Sequence, residues 1–226
     1  MHFTYISMFF DNIIINYTSH LKKKMKKIHL IISLCLLVSF AFSQNYPTLE
    51  IGQKCPSIDI SLTSVEEAKY QLKDHFSQKG LLVIFTCNTC PFVVKWEDRY
   101  KMVEKWCKTN DVDMLYVNSN AKKRDNEDSF EAMQNHSQKM DYKFPYVIDK
   151  ASRLANSFGA KTTPHIFLFN SEKVLVYKGA IDDNYESADE VENFYLKDAI
   201  SSLSQGKEIE VSKTKAVGCS IKRFVN

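Results

Sequence analysis

The sequence lacks the features that divide a chain into several domains. Its 226 residues contain no internal repeat, no low-complexity tract and no linker rich in glycine and serine. We predict an N-terminal extension over residues 1–43 and one domain over residues 44–226. A stretch of roughly 180 residues is long enough to bury a single core.

A zinc site is also missing from the pattern of cysteines and histidines. The chain has one Cys-x-x-Cys, from Cys87 to Cys90, and neither a second such pair nor a histidine pair. A structural zinc ion takes about four ligands. We therefore expect no metal site and no cofactor.

The chain carries little net charge once its first residues are set aside. The whole sequence has 30 Lys and Arg against 27 Asp and Glu, a net charge of +3. Residues 1–43 contain five lysines and one acid, which leaves 25 basic and 26 acidic residues in the remainder. This balance implies no affinity for nucleic acid.

A hydrophobic run long enough to cross a bilayer is absent. The apolar run from Ile28 to Phe42 has about fifteen residues, short of the ~20 that a spanning helix needs. Basic residues precede it and small residues follow it, as in a signal peptide. We predict export, to the periplasm or a comparable compartment, and no stable membrane insertion after cleavage.

The flanks of this run locate its ends. Met25-Lys26-Lys27 begins the basic segment, and Ala41-Phe42-Ser43 predicts cleavage before Gln44. Residues 1–24 have no role in such a signal, so Met25 is a candidate for the true start. An uncleaved membrane anchor is the weaker alternative.

The sequence does contain one strong chemical motif. An apolar run from Leu81 predicts a buried strand, which leads into Cys87-Asn88-Thr89-Cys90, and Pro91 suits the first turn of the helix that follows. A Cys-x-x-Cys between a strand and a helix indicates a redox-active dithiol. Because a helix N-terminus stabilises negative charge, Cys87 is the predicted nucleophile and Cys90 the resolving thiol. A structural disulfide is the plainer alternative.

The cysteines after Gln44 are odd in number, so at least one is free, catalytic or intermolecular. They are Cys55, Cys87, Cys90, Cys107 and Cys219. Cys107 falls in a helical apolar pattern and is predicted to be a core residue. Cys219 lies in the C-terminal tail, where it either packs the tail onto the core or forms a second disulfide, with Cys55 as the predicted partner.

Strands and helices alternate along the domain. The predicted strands cover residues 56–60, 81–86, 112–118, 146–148, 165–169 and 174–178, and the predicted helices cover 92–107, 129–140, 152–158 and 189–203. Strand-helix-strand units early and a hairpin late predict an α/β fold, a mixed sheet with helices on both faces.

Three segments together resemble the redoxin branch of the thioredoxin superfamily, also labelled AhpC/TSA-like. They are Cys87 to Val93, Thr162-Thr163-Pro164 and Tyr177 to Asn184, and the resemblance extends over residues 52–226. It implies a thioredoxin-like fold and a thiol-disulfide oxidoreductase. It also implies that Pro164 is a cis-proline facing the dithiol, and that the backbone before it, at Thr163, binds the substrate chain as an added strand. The partners implied are disulfide-containing proteins and a thiol electron donor.

Three further residues are candidates for auxiliary roles. His165 could lie near the sulfurs, although an ordinary edge-strand histidine is an equal alternative. Asp182 and Asp183 could carry protons, but charged residues after a strand more often form a solvated turn. Leu81 stands where thioredoxins have a buried Asp, so proton transfer to the resolving thiol needs another group or water.

Three other functions stay open at this point. A thiol peroxidase would need Pro-x-x-x-Thr-x-x-Cys, and here Cys87 or Ile84 occupies the Thr position. Copper-delivery members of the superfamily use two cysteines and a distant histidine, for which His165 is the candidate, but their thiols are commonly three residues apart. A redox-inert interaction domain is the remaining alternative. The sequence does not decide between oxidation and reduction of the substrate.

Overall fold

The computed structural model describes residues 21–27 and 46–224. Residues 21–27 form a short exposed helical segment, and Tyr46–Asn226 is a compact unit of its own. The predicted signal run from Ile28 to Phe42 and the predicted cleavage site before Gln44 lie outside the described residues. Across the described ranges, every helix falls short of the length or apolar character that a membrane crossing requires.

The domain is built on a mixed sheet with four helices in its described part. The strands are β1 Ser61–Ser64, β2 Lys69–Gln71, β3 Gly80–Thr86, β4 Val112–Asn118, β5 Tyr146–Ile148, β6 Thr162–Thr163, β7 His165–Asn170, β8 Leu175–Gly179 and β9 Cys219–Ser220. The helices are α1 Pro91–Thr109, α2 Phe130–Met140, α3 Arg153–Phe158 and α4 Tyr195–Ser204.

Seven strands form the main sheet in the order β2-β1-β5-β4-β3-β7-β8. The central strands β3, β4 and β5 are parallel, and the outer pairings are antiparallel. All seven residues of β3 are buried, as expected for a strand covered on both faces. The predicted α/β class and mixed sheet are confirmed.

Alternate residues of β3 enter two separate cores. Leu82 and Ile84 pack with side chains of α1 and α4 on one face, whereas Val83 and Phe85 pack with α3 on the other. This period of two is the side-chain alternation of a strand. Cys107 lies fully buried in the first core, so its predicted place is confirmed.

Two predicted elements differ from the structure. Residues 56–60 form a turn instead of an edge strand, because Ser57 has φ 55° and the Ile60 N–H donates to the Ser57 carbonyl. The last helix begins at Tyr195 instead of residue 189. Ala188–Glu190 form a separate short 3-10 helix, and the chain becomes extended at Val191. The Asp183 carboxylate accepts hydrogen bonds from the N–H groups of Glu192 and Asn193, which keeps this segment out of the last helix.

A second, two-stranded sheet joins the C-terminal tail to the domain. Strands β6 and β9 pair antiparallel, with Thr162 opposite Ser220 and Thr163 opposite Cys219. Beyond β9, Ile221 is buried and its N–H donates to the Lys161 carbonyl. The tail is therefore part of the folded domain.

Candidate active site

The dithiol motif lies where the central strand β3 meets the N-terminus of α1. Cys87 follows the strand directly, Cys90 is the N-cap residue of α1, and Pro91 is the first helical residue. Proline is favoured there because its missing N–H would have no helical partner. Both cysteines are buried, with Cys87 2% and Cys90 7% exposed.

The segment before Pro164 faces both sulfurs. The Thr163–Pro164 peptide bond is cis, as the resemblance implies. Cys87 Sγ lies 3.4 Å from the Thr163 hydroxyl oxygen, and Cys90 Sγ lies 3.4 Å from the Thr163 carbonyl oxygen. The structure thus brings together four of the predicted site residues, Cys87, Cys90, Thr163 and Pro164.

The disulfide in this structure joins Cys90 to Cys219. Their Cα atoms are 6.3 Å apart, within the usual range for a disulfide. Cys55, Cys87 and Cys107 are free and buried. The motif cysteines are therefore not bonded to each other in this state.

The predicted Cys55–Cys219 disulfide is wrong. Cys55 packs in the core on the α3 face, and its N–H donates to the Lys173 carbonyl in the turn between β7 and β8. Burial raises the pKa of its thiol to about 12. Pairing with β6 instead carries Cys219 to the dithiol, because Thr163 is its partner across the strands.

The environment of Cys87 does not favour a thiolate in this state. Burial raises the pKa of the Cys87 thiol, and the negative charge of Asp128 adds to the rise. The Thr163 hydroxyl and the backbone N–H groups of Cys90 and Thr89 act in the opposite direction. The stabilisation expected from the helix N-terminus is present, but the loss of hydration outweighs it.

A buried polar network fixes the residue after Cys87. The Asn88 N–H donates to the Asp128 carboxylate at 3.0 Å, and the Asn88 side chain donates to the Glu127 carbonyl and accepts from Tyr146 Oη. Asn118 and Asn120 also donate to Asp128. The network holds the backbone between the two cysteines in one conformation.

Sequence reasoning missed this network. Asp128 lies 40 residues beyond Asn88, at the end of a charged loop, and it is 1% exposed. A charge in such a run is typically solvated, so only the fold reveals that it is buried beside the dithiol. Asp128 supplies a carboxylate at the loop even though Leu81 replaces the strand Asp of thioredoxins.

His165 is close to the motif along the sheet, but it is held neutral. It lies opposite Phe85 in the pairing of β7 with β3. Its Nδ1 accepts the Lys161 N–H at 3.2 Å, and its ring packs on Phe167. Burial, with the positive charges of Lys178 and Lys161, lowers its pKa to about 3. Its auxiliary role stays a prediction.

The two aspartates after β8 have structural partners. Asp182 is buried, its Oδ2 lies 3.4 Å from Arg99 Nε, and it accepts the Asn184 N–H. Burial raises the pKa of Asp182, while the Asn184 N–H and the Arg99 charge oppose the rise. The Asp183 carboxylate accepts hydrogen bonds from the backbone N–H groups of Glu192 and Asn193, just before α4. A proton-carrying role for either residue stays a prediction.

The described residues also bear on the copper alternative. Within residues 21–27 and 46–224, no three His, Cys, Asp or Glu side chains are grouped so as to hold a metal ion. Cys90 forms a disulfide with Cys219, and His165 Nδ1 accepts a hydrogen bond from the Lys161 N–H.

These features are those of a thioredoxin-like redox protein: a central mixed sheet, a dithiol at a helix N-terminus and a cis-proline beside it. The Redoxin family model matches residues 50–195, and the chain belongs to this family. Two curated relatives are similar to it, both named thiol-disulfide oxidoreductase ResA. The Bacillus thuringiensis subsp. konkukian protein is 26% identical over 76% of this chain and 93% of its own length. The Bacillus cereus protein is 26% identical over 77% of this chain and 97% of its own length. The chain is a thioredoxin-like enzyme of the thiol-disulfide oxidoreductase class.

Solved structures share the fold. A hypothetical protein from Sinorhizobium meliloti 1021 has a TM-score of 0.72 and 27% identity, over 80% of this chain and 98% of its own. An uncharacterized conserved protein from Geobacillus kaustophilus has a TM-score of 0.73 and 26% identity, over 81% of this chain and 95% of its own. Peroxidoxin BcpB from Mycobacterium tuberculosis, with a TM-score of 0.51 and 12% identity, is similar in fold alone over 70% of this chain and 97% of its own.

Proposed function

We propose that this protein is an exported thiol-disulfide oxidoreductase in which Cys87 attacks the substrate disulfide and Cys90 resolves the intermediate. One observation carries the proposal. Near the N-terminus of α1, both cysteine sulfurs lie 3.4 Å from atoms of Thr163 in β6. A substrate strand paired with the Thr163 backbone would therefore bring its sulfur to the dithiol.

The reaction proceeds by two thiol-disulfide exchanges. The Cys87 thiolate attacks one substrate sulfur, which forms a mixed disulfide and releases the other substrate sulfur as a thiolate. The Cys90 thiolate then attacks Cys87 Sγ, which forms the Cys87–Cys90 disulfide and releases the reduced substrate. A thiol donor returns the pair to the reduced state. Run in reverse, the same steps oxidise a dithiol substrate.

The residues around the dithiol assist these steps without taking part in bond exchange. The Thr163 hydroxyl stabilises the Cys87 thiolate by hydrogen bonding. Asn88, bonded to Asp128 and Tyr146, keeps the two cysteines at a fixed separation. Disulfide-containing proteins are the proposed substrates, since an added strand needs an extended peptide.

Cysteine variants test the chemistry. In an insulin-reduction assay, Cys87→Ser should reduce turnover to background, because the attacking sulfur is lost. The double variant Cys90→Ser/Cys219→Ser should accumulate a mixed disulfide visible on a non-reducing gel, because no resolving thiol remains. Cys55→Ala is the matched control, because Cys55 is a buried cysteine in the core on the α3 face. Its insulin-reduction activity should equal that of the parent. Parental activity in Cys87→Ser would refute the mechanism.

Export is tested separately. N-terminal sequencing of protein recovered from outside the cytoplasm should begin at Gln44, because cleavage is predicted after the small residues that end the signal. A folded product that begins at Met1 or Met25 would remove the argument for the periplasm.

A further inference from the structure

The tail strand β9 lies where a substrate strand is expected. The backbone at Thr163 pairs with Cys219, so an edge that would receive an external chain already has an internal one. Gly218 makes this approach feasible: a Cβ at that position would lie 2.3 Å from the Thr163 carbonyl oxygen. Such a contact is far shorter than packing allows, so only glycine fits against the Thr163–Pro164 peptide.

Contacts on the C-terminal side of β9 keep the tail in place. Ile221 is 5% exposed and packs in the α3 core. The Lys222 N–H donates to Asn120 Oδ1 at 2.8 Å, and Arg223 Nε donates to Asn156 Oδ1 at 2.7 Å. These contacts hold the backbone after β9 in place, so Cys219 is kept beside Cys90.

The three sulfurs at this point differ in accessibility. Cys87 and Cys90 are buried, whereas Cys219 is partly exposed and packs against the cluster they form with Val93. An external thiol therefore reaches Cys219 more readily than it reaches either motif cysteine.

We propose that Cys219 is a third redox-active thiol, and that β9 occupies the substrate groove as an internal strand that exchanges disulfides with the dithiol. This inference rests on the proposed function. After substrate reduction leaves the Cys87–Cys90 disulfide, the Cys219 thiolate attacks Cys90 Sγ. The Cys90–Cys219 bond forms, the Cys87–Cys90 bond breaks, and its electron pair stays on Cys87 Sγ, which takes up the proton that Cys219 gave up.

No external oxidant or reductant enters this exchange, since one disulfide replaces another. The thiol donor then attacks Cys219 at the surface, and a second donor thiol releases the donor as its own disulfide. This step frees the Cys90 and Cys219 thiols, and the substrate competes with β9 for the groove. The raised pKa of Cys87 supports the order of events, because a protonated Cys87 attacks Cys90 slowly and the Cys90–Cys219 state persists.

Peptide mapping of the full chain tests the exchange. The protein is equilibrated in glutathione buffers of stepped potential, quenched with acid, alkylated and cleaved with trypsin without reduction. The motif cysteines share the peptide of residues 80–95, and Cys219 lies in the peptide of residues 216–222. We expect these peptides to be linked over a defined range of potential. Cys87→Ser should keep the link, Cys90→Ser should lose it, and Cys55→Ala should match the parent.

The contrary result is equally clear. An internal disulfide in residues 80–95 together with a fully alkylated Cys219 at every potential would overturn the proposal, even if the enzyme turns over substrate. A linked pair of peptides without turnover of any disulfide substrate would instead refute the proposed function and leave the exchange supported. The two ideas therefore fail in different ways.

A kinetic measurement tests the role of Cys219 in accepting electrons. Oxidised Cys219→Ser can hold only the buried Cys87–Cys90 disulfide, so its reduction by glutathione should be slower than that of the parent by about tenfold or more, as access limits exchange. The conservative Ser220→Ala variant, next along β9, should be reduced at the parental rate. Equal rates for the parent and Cys219→Ser would contradict the relay.

Discussion

Cys87 shows how opposing effects at one residue set its reactivity. The helix N-terminus and the Thr163 hydroxyl favour the thiolate, but burial disfavours it more strongly, and the net result is a raised pKa. The sequence pattern reveals the first effect, because helix position is local. It does not reveal the second, because the burial of Cys87 depends on segments that only the fold brings around it.

This balance predicts the pH dependence of Cys87 alkylation in the Cys90–Cys219 state. A thiol reacts as its thiolate, so the rate should rise about tenfold per pH unit up to the pKa. Since the pKa is raised above the ordinary value of 9.0, the rate should still be rising at pH 9. Mass spectrometry of the labelled peptide at a series of pH values measures it.

A Thr163 variant provides the control for this profile. Thr163→Val removes the hydroxyl that lowers the pKa of Cys87, so its profile should move to higher pH. A rate that reaches its plateau below pH 8 in the parent would show that Cys87 is an activated thiolate in this state. That outcome would contradict the assigned effect of burial.

At the scale of elements, local patterns were sufficient where contacts follow the chain. The strand-loop-helix unit around the dithiol was predicted nearly to the residue, because β3 is a continuous apolar run and Pro91 marks the helix start. The hairpin of β7 and β8 was predicted for the same reason. Its turn, from Asn170 to Lys173, lies between two apolar strands.

The parts of the site that could not be predicted depend on distant pairings. Strands β6 and β9 have two residues each, and 55 residues lie between them. Neither strand is long enough to show a period, so the partner of Cys219 could not be predicted from spacing. Asp128 likewise reaches Asn88 only through the fold. In both cases the active site is completed by segments whose sequences resemble ordinary loops.

The contact of Gly218 with the cis-proline segment predicts a variant that displaces β9 and keeps all thiols. Gly218→Ala would place a Cβ 2.3 Å from the Thr163 carbonyl oxygen. Overpacking of this kind costs ~1–3 kcal/mol. The ratio of linked to unlinked peptides 80–95 and 216–222 should fall by about fivefold or more at fixed potential, since 1.36 kcal/mol corresponds to tenfold.

Ser220→Ala is the control for this variant. Ser220 is exposed in the same strand, and its hydroxyl accepts a hydrogen bond from Lys222 Nζ at 3.1 Å. Its linked fraction should equal that of the parent. If Gly218→Ala also kept the parental fraction, the close fit of the tail against Thr163 would not govern the exchange.

For the whole molecule, the choice of disulfide determines how much of the chain is closed. Cys90 and Cys219 are 129 residues apart, so their bond ties the tail across most of the domain. A Cys87–Cys90 bond closes only the motif loop. On the chain-entropy model the long loop stabilises the fold by ~5 kcal/mol and the short one by ~2 kcal/mol.

Chemical denaturation should therefore separate the two oxidised states. Relative to its reduced form, the oxidised parent should gain about 3 kcal/mol more in free energy of unfolding than oxidised Cys219→Ser gains over its own reduced form. The Cys87→Ser variant can form only the Cys90–Cys219 disulfide. On oxidation its free energy of unfolding should rise as much as that of the parent. An equal gain in Cys219→Ser would mean that the parent rests with its motif cysteines joined. In that event the tail would be held by Ile221 and its hydrogen bonds alone, and the groove would open without any change in redox state.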